Sequence, residues 1–286
     1  MKKPVNCEKA IGDARAVLPA HDPAGIAHPG RDESMRTAES EEARFNPNVP
    51  IVAAEASARD RIMVYDQYGD GWAGWPLNDG ETGGNNMENS GCLIFTYAHA
   101  IQWLTGHRVS RADRATLIEE LICICDIPWG PRAYNPTDAQ ALYNAHIVRR
   151  YGAVEMPVPR STSEMETLFR RGGVMIANPG GHYIAAVGAA YGDLGDGKGD
   201  ECCIHVVDSS CQSTWWRTNQ NYGSPVYDFD SRGVIQGYRR AGDSPVAGTV
   251  DGRVTSKWTG GEYWVPYIVF RRYRLDRAYL PAGSEL

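Results

Sequence analysis

No stretch of this sequence is apolar for long enough to cross a membrane. A spanning helix needs about 20 apolar residues, whereas the longest apolar stretches, such as Tyr183 to Ala190, are far shorter and contain glycine. Lys2 and Lys3 have no apolar run behind them, so no secretory signal is expected. That predicts a cytoplasmic protein, or one exported without a recognisable signal peptide. A polybasic run is missing too, and the formal net charge is −6. Nucleic-acid binding, which favours a basic stripe, is therefore not expected. Aromatic residues are nearly absent from residues 1–60, where Phe45 stands alone among turn-forming runs such as His28-Pro29-Gly30. Such a segment reads as an N-terminal extension, wrapped on the domain, mobile or propeptide-like, ahead of a domain over 61–286. An even cysteine count is lacking as well. Seven cysteines, with Cys202 and Cys203 adjacent, do not form a disulfide framework, so mostly reduced, buried thiols are expected. Cys123-x-Cys125 lies in the apolar run Leu121 to Ile127, and no second pair stands at zinc-site spacing. Neither a metal nor another cofactor is expected.

What is present is ample apolar material, 42% of the chain, arranged in two successive textures. Ile62 to Tyr65 reads as a short strand, followed by a Gly-, Asn- and Trp-rich loop from Gly69 to Ser90. Helical periodicity then runs over Cys92 to Thr105, with Leu93, Tyr97, Ala100, Ile101 and Leu104 on one side and Gly106 as cap. Further helices are predicted over Arg111 to Cys123, Thr137 to Tyr151 and Thr162 to Arg171. From Val174 the period shortens: Val174 to Ala177, Tyr183 to Val187, Ile204 to Val207 and Tyr263 to Arg274 read as strands. Helices first and an antiparallel sheet afterwards predict an α+β domain.

The chemistry gathers at three places. Ser90-Gly91-Cys92 puts a thiol on the first turn of a helix, where unpaired N–H groups and the helix dipole favour a thiolate. Gly91 leaves room for a substrate backbone. Gly180-Gly181-His182 puts an imidazole at the mouth of an apolar strand, where a general base can be held rigidly yet reach a cleft. Asp208 ends the strand His205-Val206-Val207, which is expected to pair with the histidine strand through the turn Gly192 to Asp200. A carboxylate there can fix the histidine tautomer and stabilise the imidazolium. The order Cys, His, Asp describes an activated nucleophile with its base and orienter. Upstream, the Gln67 amide is a candidate donor to a developing oxyanion, together with the Cys92 N–H. Trp72 and Trp75, in the Gly-rich loop, are candidates for a substrate-binding wall, with Gly91 and Gly181 beside the reacting groups.

These residues resemble a known family. Tyr65-x-Gln67 with Trp72, then Ser90-Gly91-Cys92 opening a helix, Gly181-His182-Tyr183-Ile184 and Val207-Asp208, are similar to the papain-like cysteine peptidases of the bacteriocin-processing, double-glycine-peptidase-like group. The resemblance covers roughly Arg61 to Ser210. It implies a papain-like fold, with the nucleophile at a helix start packed on an antiparallel sheet. It also implies that Gln67 lines the oxyanion hole, Cys92 attacks, His182 is base and acid, and Asp208 orients it. Leu93 stands where the family often has Gly, and Ser209 where it often has Pro; neither change removes a catalytic atom. Members that trim transported peptides are fused to a membrane exporter, and this sequence has no spanning segment. The expected function is thus a thiol peptidase or related amide hydrolase, bacterial or phage, acting on peptides or peptidoglycan stems. The alternative is a binding or structural protein, such as a phage or surface component, that retains the fold without turnover.

Other features read as structural. The acidic spacing of Gly192 to Asp200 suggests calcium but lacks the EF-hand glutamate, so a β-turn is expected. His99 and His205 read as packing residues, because neither has the Gly-Gly entrance of His182. Of the remaining tryptophans, Trp129, Trp215, Trp216, Trp258 and Trp264 read mostly as core.

Overall fold

The computed structural model describes residues 7–10, 62–67, 72, 74–77, 86–110, 112–125, 135–179, 181–193, 200–209, 226–229, 235–239, 249–250, 253–254, 261–271 and 273–285. Most of the expected extension, residues 194–199 of the acidic turn, and Trp129, Trp215, Trp216 and Trp258 lie outside the described residues. Helices come first: α1 (Met87–Ser90), α2 (Cys92–Thr105), α3 (Arg114–Ile124), α4 (Pro136–Tyr151) and, after strand β1 (Val154–Met156), α5 (Thr162–Arg170). The strands β2 (Val174–Asn178), β3 (Ile184–Asp193), β4 (Asp200–Asp208), β5 (Val226–Phe229), β6 (Ile235–Arg239), β7 (Thr249–Val250), β8 (Arg253–Val254) and β9 (Gly261–Pro266) follow. A helical turn, α6 (Tyr267–Phe270), and β10 (Arg274–Leu280) end the order. The chain is an α+β protein. Its main sheet has eight antiparallel strands in the order β1-β10-β2-β3-β4-β9-β5-β6.

The central strands β2, β3 and β4 are covered on both faces, successive residues pointing to opposite sides. Val174 and Ile176 of β2, with Ala185 and Val187 of β3, join the core formed with α2, α3 and α4. Their neighbours Met175, Ala177, Ile184 and Ala186 face the opposite core, where Met165, Leu168 and Phe169 of α5 and Phe270 of α6 pack. Fully burying an aliphatic or aromatic side chain contributes about 1.5–3 kcal/mol relative to exposure. Helix α2 is the centre of the first core. All fourteen of its residues are buried, including the polar Thr96, His99, Gln102 and Thr105. The one-sided apolar face read from the sequence is therefore too narrow: α2 is a core helix, and its polar side chains need internal partners.

Two expected strands are corrected. Tyr263 to Arg274 is divided, because Pro266 has no N–H to continue the ladder, and the helical turn after it carries Phe270 into the core. Residues 62–65 are not a ladder strand. Their backbone groups are served by side chains: Arg108 Nε donates to the Ile62 carbonyl at 3.3 Å, and Met63 N–H to Gln102 Oε1 at 2.8 Å.

The thiols also differ from expectation. Cys7 and Cys123 form a disulfide with Cα atoms 5.3 Å apart, across a sequence separation of 116 residues. The bond fixes at least this piece of the N-terminal segment to α3, and Ala10 within it is buried. Replacing Cys7 by Ser is expected to lower stability by about 2–5 kcal/mol. Denaturant unfolding measures this directly; an unchanged midpoint would mean that the cross-link adds nothing to the fold.

Candidate active site

The short helix α1 is closed at its start by Asn86 and Asn89 in a reciprocal capping box. It runs into α2 through Gly91, where an added Cβ would lie 2.5 Å from the Met87 carbonyl oxygen. A glycine is thus required for this close approach, and it sets Cys92 as the first residue of α2, 9% exposed. In an uninterrupted helix the Glu88 carbonyl would accept from the Cys92 N–H. Instead it accepts from Gln67 Nε2 at 2.5 Å. Cys92 therefore stands among the N–H groups that a helix start leaves without an internal acceptor.

His182 and Asp208 are delivered by the β3–β4 pair. Antiparallel register from Asp193↔Asp200 to Ala185↔Val207 brings the start of β3 beside the end of β4. Gly181, at φ +75°, makes the turn into β3, and its N–H donates to Asn178 Oδ1 at 3.0 Å. His182 Nε2 then meets Asp208 Oδ1 at 2.8 Å, with both residues buried. The Cys92 side chain lies near enough to the same imidazole to raise its proton affinity, by charge and by hydrogen bonding. With Nε2 committed to Asp208, Nδ1 is the nitrogen left for the thiol. Burial pulls the His182 pKa down, but the Asp208 carboxylate, its hydrogen bond and the Cys92 side chain outweigh it and push the value up to about 10.

This shift has a sign that can be measured. The folded protein holds the His182 proton more tightly than an ordinary imidazole of pKa 6.5, so the protonated ring stabilises the fold fully below about that pH. The contribution is lost as pH rises through about 10. Thermal unfolding followed from pH 6 upwards is expected to show this loss, and Asp208→Asn should flatten it. An identical pH profile in the variant would contradict the pairing.

Gln67 is held at both ends rather than solvated. Its backbone N–H donates to the Ser209 carbonyl at 2.8 Å, and Ser209 Oγ donates to Gln67 Oε1 at 3.2 Å. One Nε2 hydrogen is engaged by the Glu88 carbonyl. The structure thus brings Gln67, Cys92, His182 and Asp208 together where α1 meets α2 and β3 meets β4. Trp72 is corrected. It is 1% exposed, packed edge-on against Tyr65 and tilted against Phe95, and its Nε1–H donates to the Asp66 carbonyl at 2.9 Å, so it is core and no cleft wall. Trp75 is half-buried against the same core, and its N–H closes a turn on the Trp72 carbonyl. Sequence reasoning missed the part of Ser209, and only its place beside Asp208 could have signalled it.

The other described thiols lack this setting. Burial pushes Cys125 up to about 11 against a smaller opposing effect of the Tyr143 side chain, and burial with the Glu166 charge pushes Cys202 up to about 12. Both stay protonated at neutral pH. Iodoacetamide at pH 7 is therefore expected to label Cys92 first; earlier labelling of Cys125 or Cys202 would move the nucleophile elsewhere. Among the described residues no group of three His, Cys, Asp or Glu side chains is placed to hold a metal, and no helix is long and apolar enough to cross a membrane.

No protein-family model matches this chain, and a search of curated proteins found no significant match.

Proposed function

We propose that the protein is a papain-like cysteine hydrolase that cleaves amide bonds in peptides or cell-wall peptide stems. One observation carries this reading: the buried His182 ring is hydrogen-bonded to Asp208 at 2.8 Å and lies beside the Cys92 thiol, which opens a helix and acts on the ring's proton affinity. In the proposed cycle the His182 imidazolium already holds the proton drawn from Cys92, and Sγ attacks the scissile carbonyl carbon. The oxyanion is received by the Cys92 N–H and the Gln67 amide. The tetrahedral adduct collapses as His182 gives its proton to the leaving amine, so the C–N bond breaks and a thioester remains. Water then attacks the thioester with His182 as base, and the released acid regenerates the thiol. Asp208 holds the ring tautomer and supports the imidazolium throughout.

The Cys7–Cys123 disulfide favours the exported alternative for location, since disulfides persist mainly in oxidising compartments. The test is incubation of the protein with a panel of unstructured peptides and one of muropeptide stems, read by mass spectrometry. Product pairs whose masses sum to substrate plus one water are expected from at least one panel. No cleavage in either, with Cys92 still alkylated, would favour the non-catalytic binding protein.

A further inference from the structure

The backbone of residues 62–67 makes no ladder, yet it reaches the reacting groups at its C-terminal end. Its hydrogen bonds form a series along α2. Gln102 grips Met63 from both sides, accepting from its N–H at 2.8 Å and donating to its carbonyl at 3.2 Å. The Gln102 side chain is itself fixed by the Val109 N–H at 2.9 Å and the Ala98 carbonyl at 3.3 Å. His99 provides the next rung, its Nε2 accepting from the Tyr65 N–H at 3.0 Å. Gln67 ends the series on Ser209 and Glu88.

We infer that His99 and Gln102 are positioning residues that hold this arm so that the Gln67 amide is presented beside Cys92; the inference rests on the hydrolase reading above. Cys92, His99 and Gln102 all belong to α2, with His99 about two helical turns beyond Cys92. The helix that carries the nucleophile therefore also sets the register of the oxyanion donor against it. A core-packing role alone would be met by apolar side chains, and burying an imidazole and an amide requires partners that repay their desolvation. Here His99 Nε2 and both ends of the Gln102 amide find partners on the backbone of one arm, and Gln102 also finds them on Val109 and Ala98. For the rung to exist, Nε2 must be an acceptor, so the proton lies on Nδ1 and the ring is neutral. Burial enforces this by lowering the His99 pKa to about 3, against the opposing pull of Asp208. The rung consequently survives across the whole neutral range.

The test pairs kinetics with amide exchange. His99→Leu keeps an apolar filling but removes the acceptor; His99→Gln places Oε1 near the former Nε2. Misplacing a catalytic donor by about 1 Å can cost 10²-fold in rate. His99→Leu is expected to lower kcat roughly 10- to 100-fold with KM nearly unchanged, while Cys92 alkylation at pH 7 stays near the wild-type rate. His99→Gln should recover most of the loss. In a Gln67→Ala background, His99→Leu should cost little more, because the two act as one unit. Hydrogen exchange over residues 63–67 should quicken in His99→Leu and Gln102→Leu, a readout independent of any substrate. Unchanged exchange, or full additivity with Gln67→Ala, would overturn the inference while leaving the Cys92 chemistry intact. If wild type cleaves nothing, the hydrolase reading fails, and exchange alone decides whether His99 and Gln102 hold the arm. Should His99→Leu not fold, His99→Asn, whose side chain stops short of Tyr65, takes its place with the same expected outcomes.

Discussion

Cys92→Ala is expected to lower amide-bond turnover by at least about 10⁴-fold, the scale seen when a nucleophile is removed from a group that acts as a unit. The change deletes one sulfur from a site already 9% exposed, so the fold should survive with a cooperative unfolding transition. His182→Ala should cost a similar amount. The double variant should be little worse than either single one, because neither residue has a role once the other is gone. Steady-state kinetics on the cleaved peptide give all three values. Retention of a tenth of wild-type activity by Cys92→Ala would mean that another group attacks.

The second large effect concerns Asp208, fully buried at the end of β4. Asparagine keeps its size but presents an amide, whose N–H₂ can turn towards Nε2 and hold the wrong tautomer. In a serine triad this change costs about 10⁴-fold. A thiol already paired with an imidazolium should depend on it less, so a loss of about 10- to 1000-fold in kcat with KM little changed is expected. The same substitution at Asp193 or Asp200, at the far end of the β3–β4 pair, should leave turnover within about twofold. Equal losses at the three positions would mean that the hairpin, and not the carboxylate at the histidine, is what matters.

Much of the architecture was legible because it is encoded locally. Gly106 and Gly152 sit just past α2 and α4, as expected from the sequence, and the switch from helical periodicity to short apolar runs at Val174 marks most of the sheet. The placement of His182 at one strand's entrance and Asp208 at the next strand's end followed from a single hairpin, whose register is a short-range property. What was not legible depends on distant parts of the chain. Residues 62–65 have strand composition, yet they spend their hydrogen bonds on Gln102 and His99, dozens of residues away. The same cause made His99 read as mere packing. Trp72, in a glycine-rich loop, was indistinguishable from a cleft residue until Tyr65 and Phe95 closed around it. Cys7 and Cys123 could not be paired from spacing, since only the packing of residues 7–10 brings them within disulfide reach. Which sheet face each predicted helix covers was likewise hidden, because a strand buried on both sides has no polar face to tell them apart.

The central claim is that Cys92 is a nucleophile activated by His182. Intact-mass analysis after exposure to a peptide-based electrophile, such as a peptidyl fluoromethyl ketone, tests it most directly. One covalent adduct mapping to Cys92 is expected in wild type at neutral pH, none in Cys92→Ala, and adduct formation slowed by at least about tenfold in His182→Ala. An adduct that persists in Cys92→Ala, or forms at an unchanged rate in His182→Ala, would contradict the account.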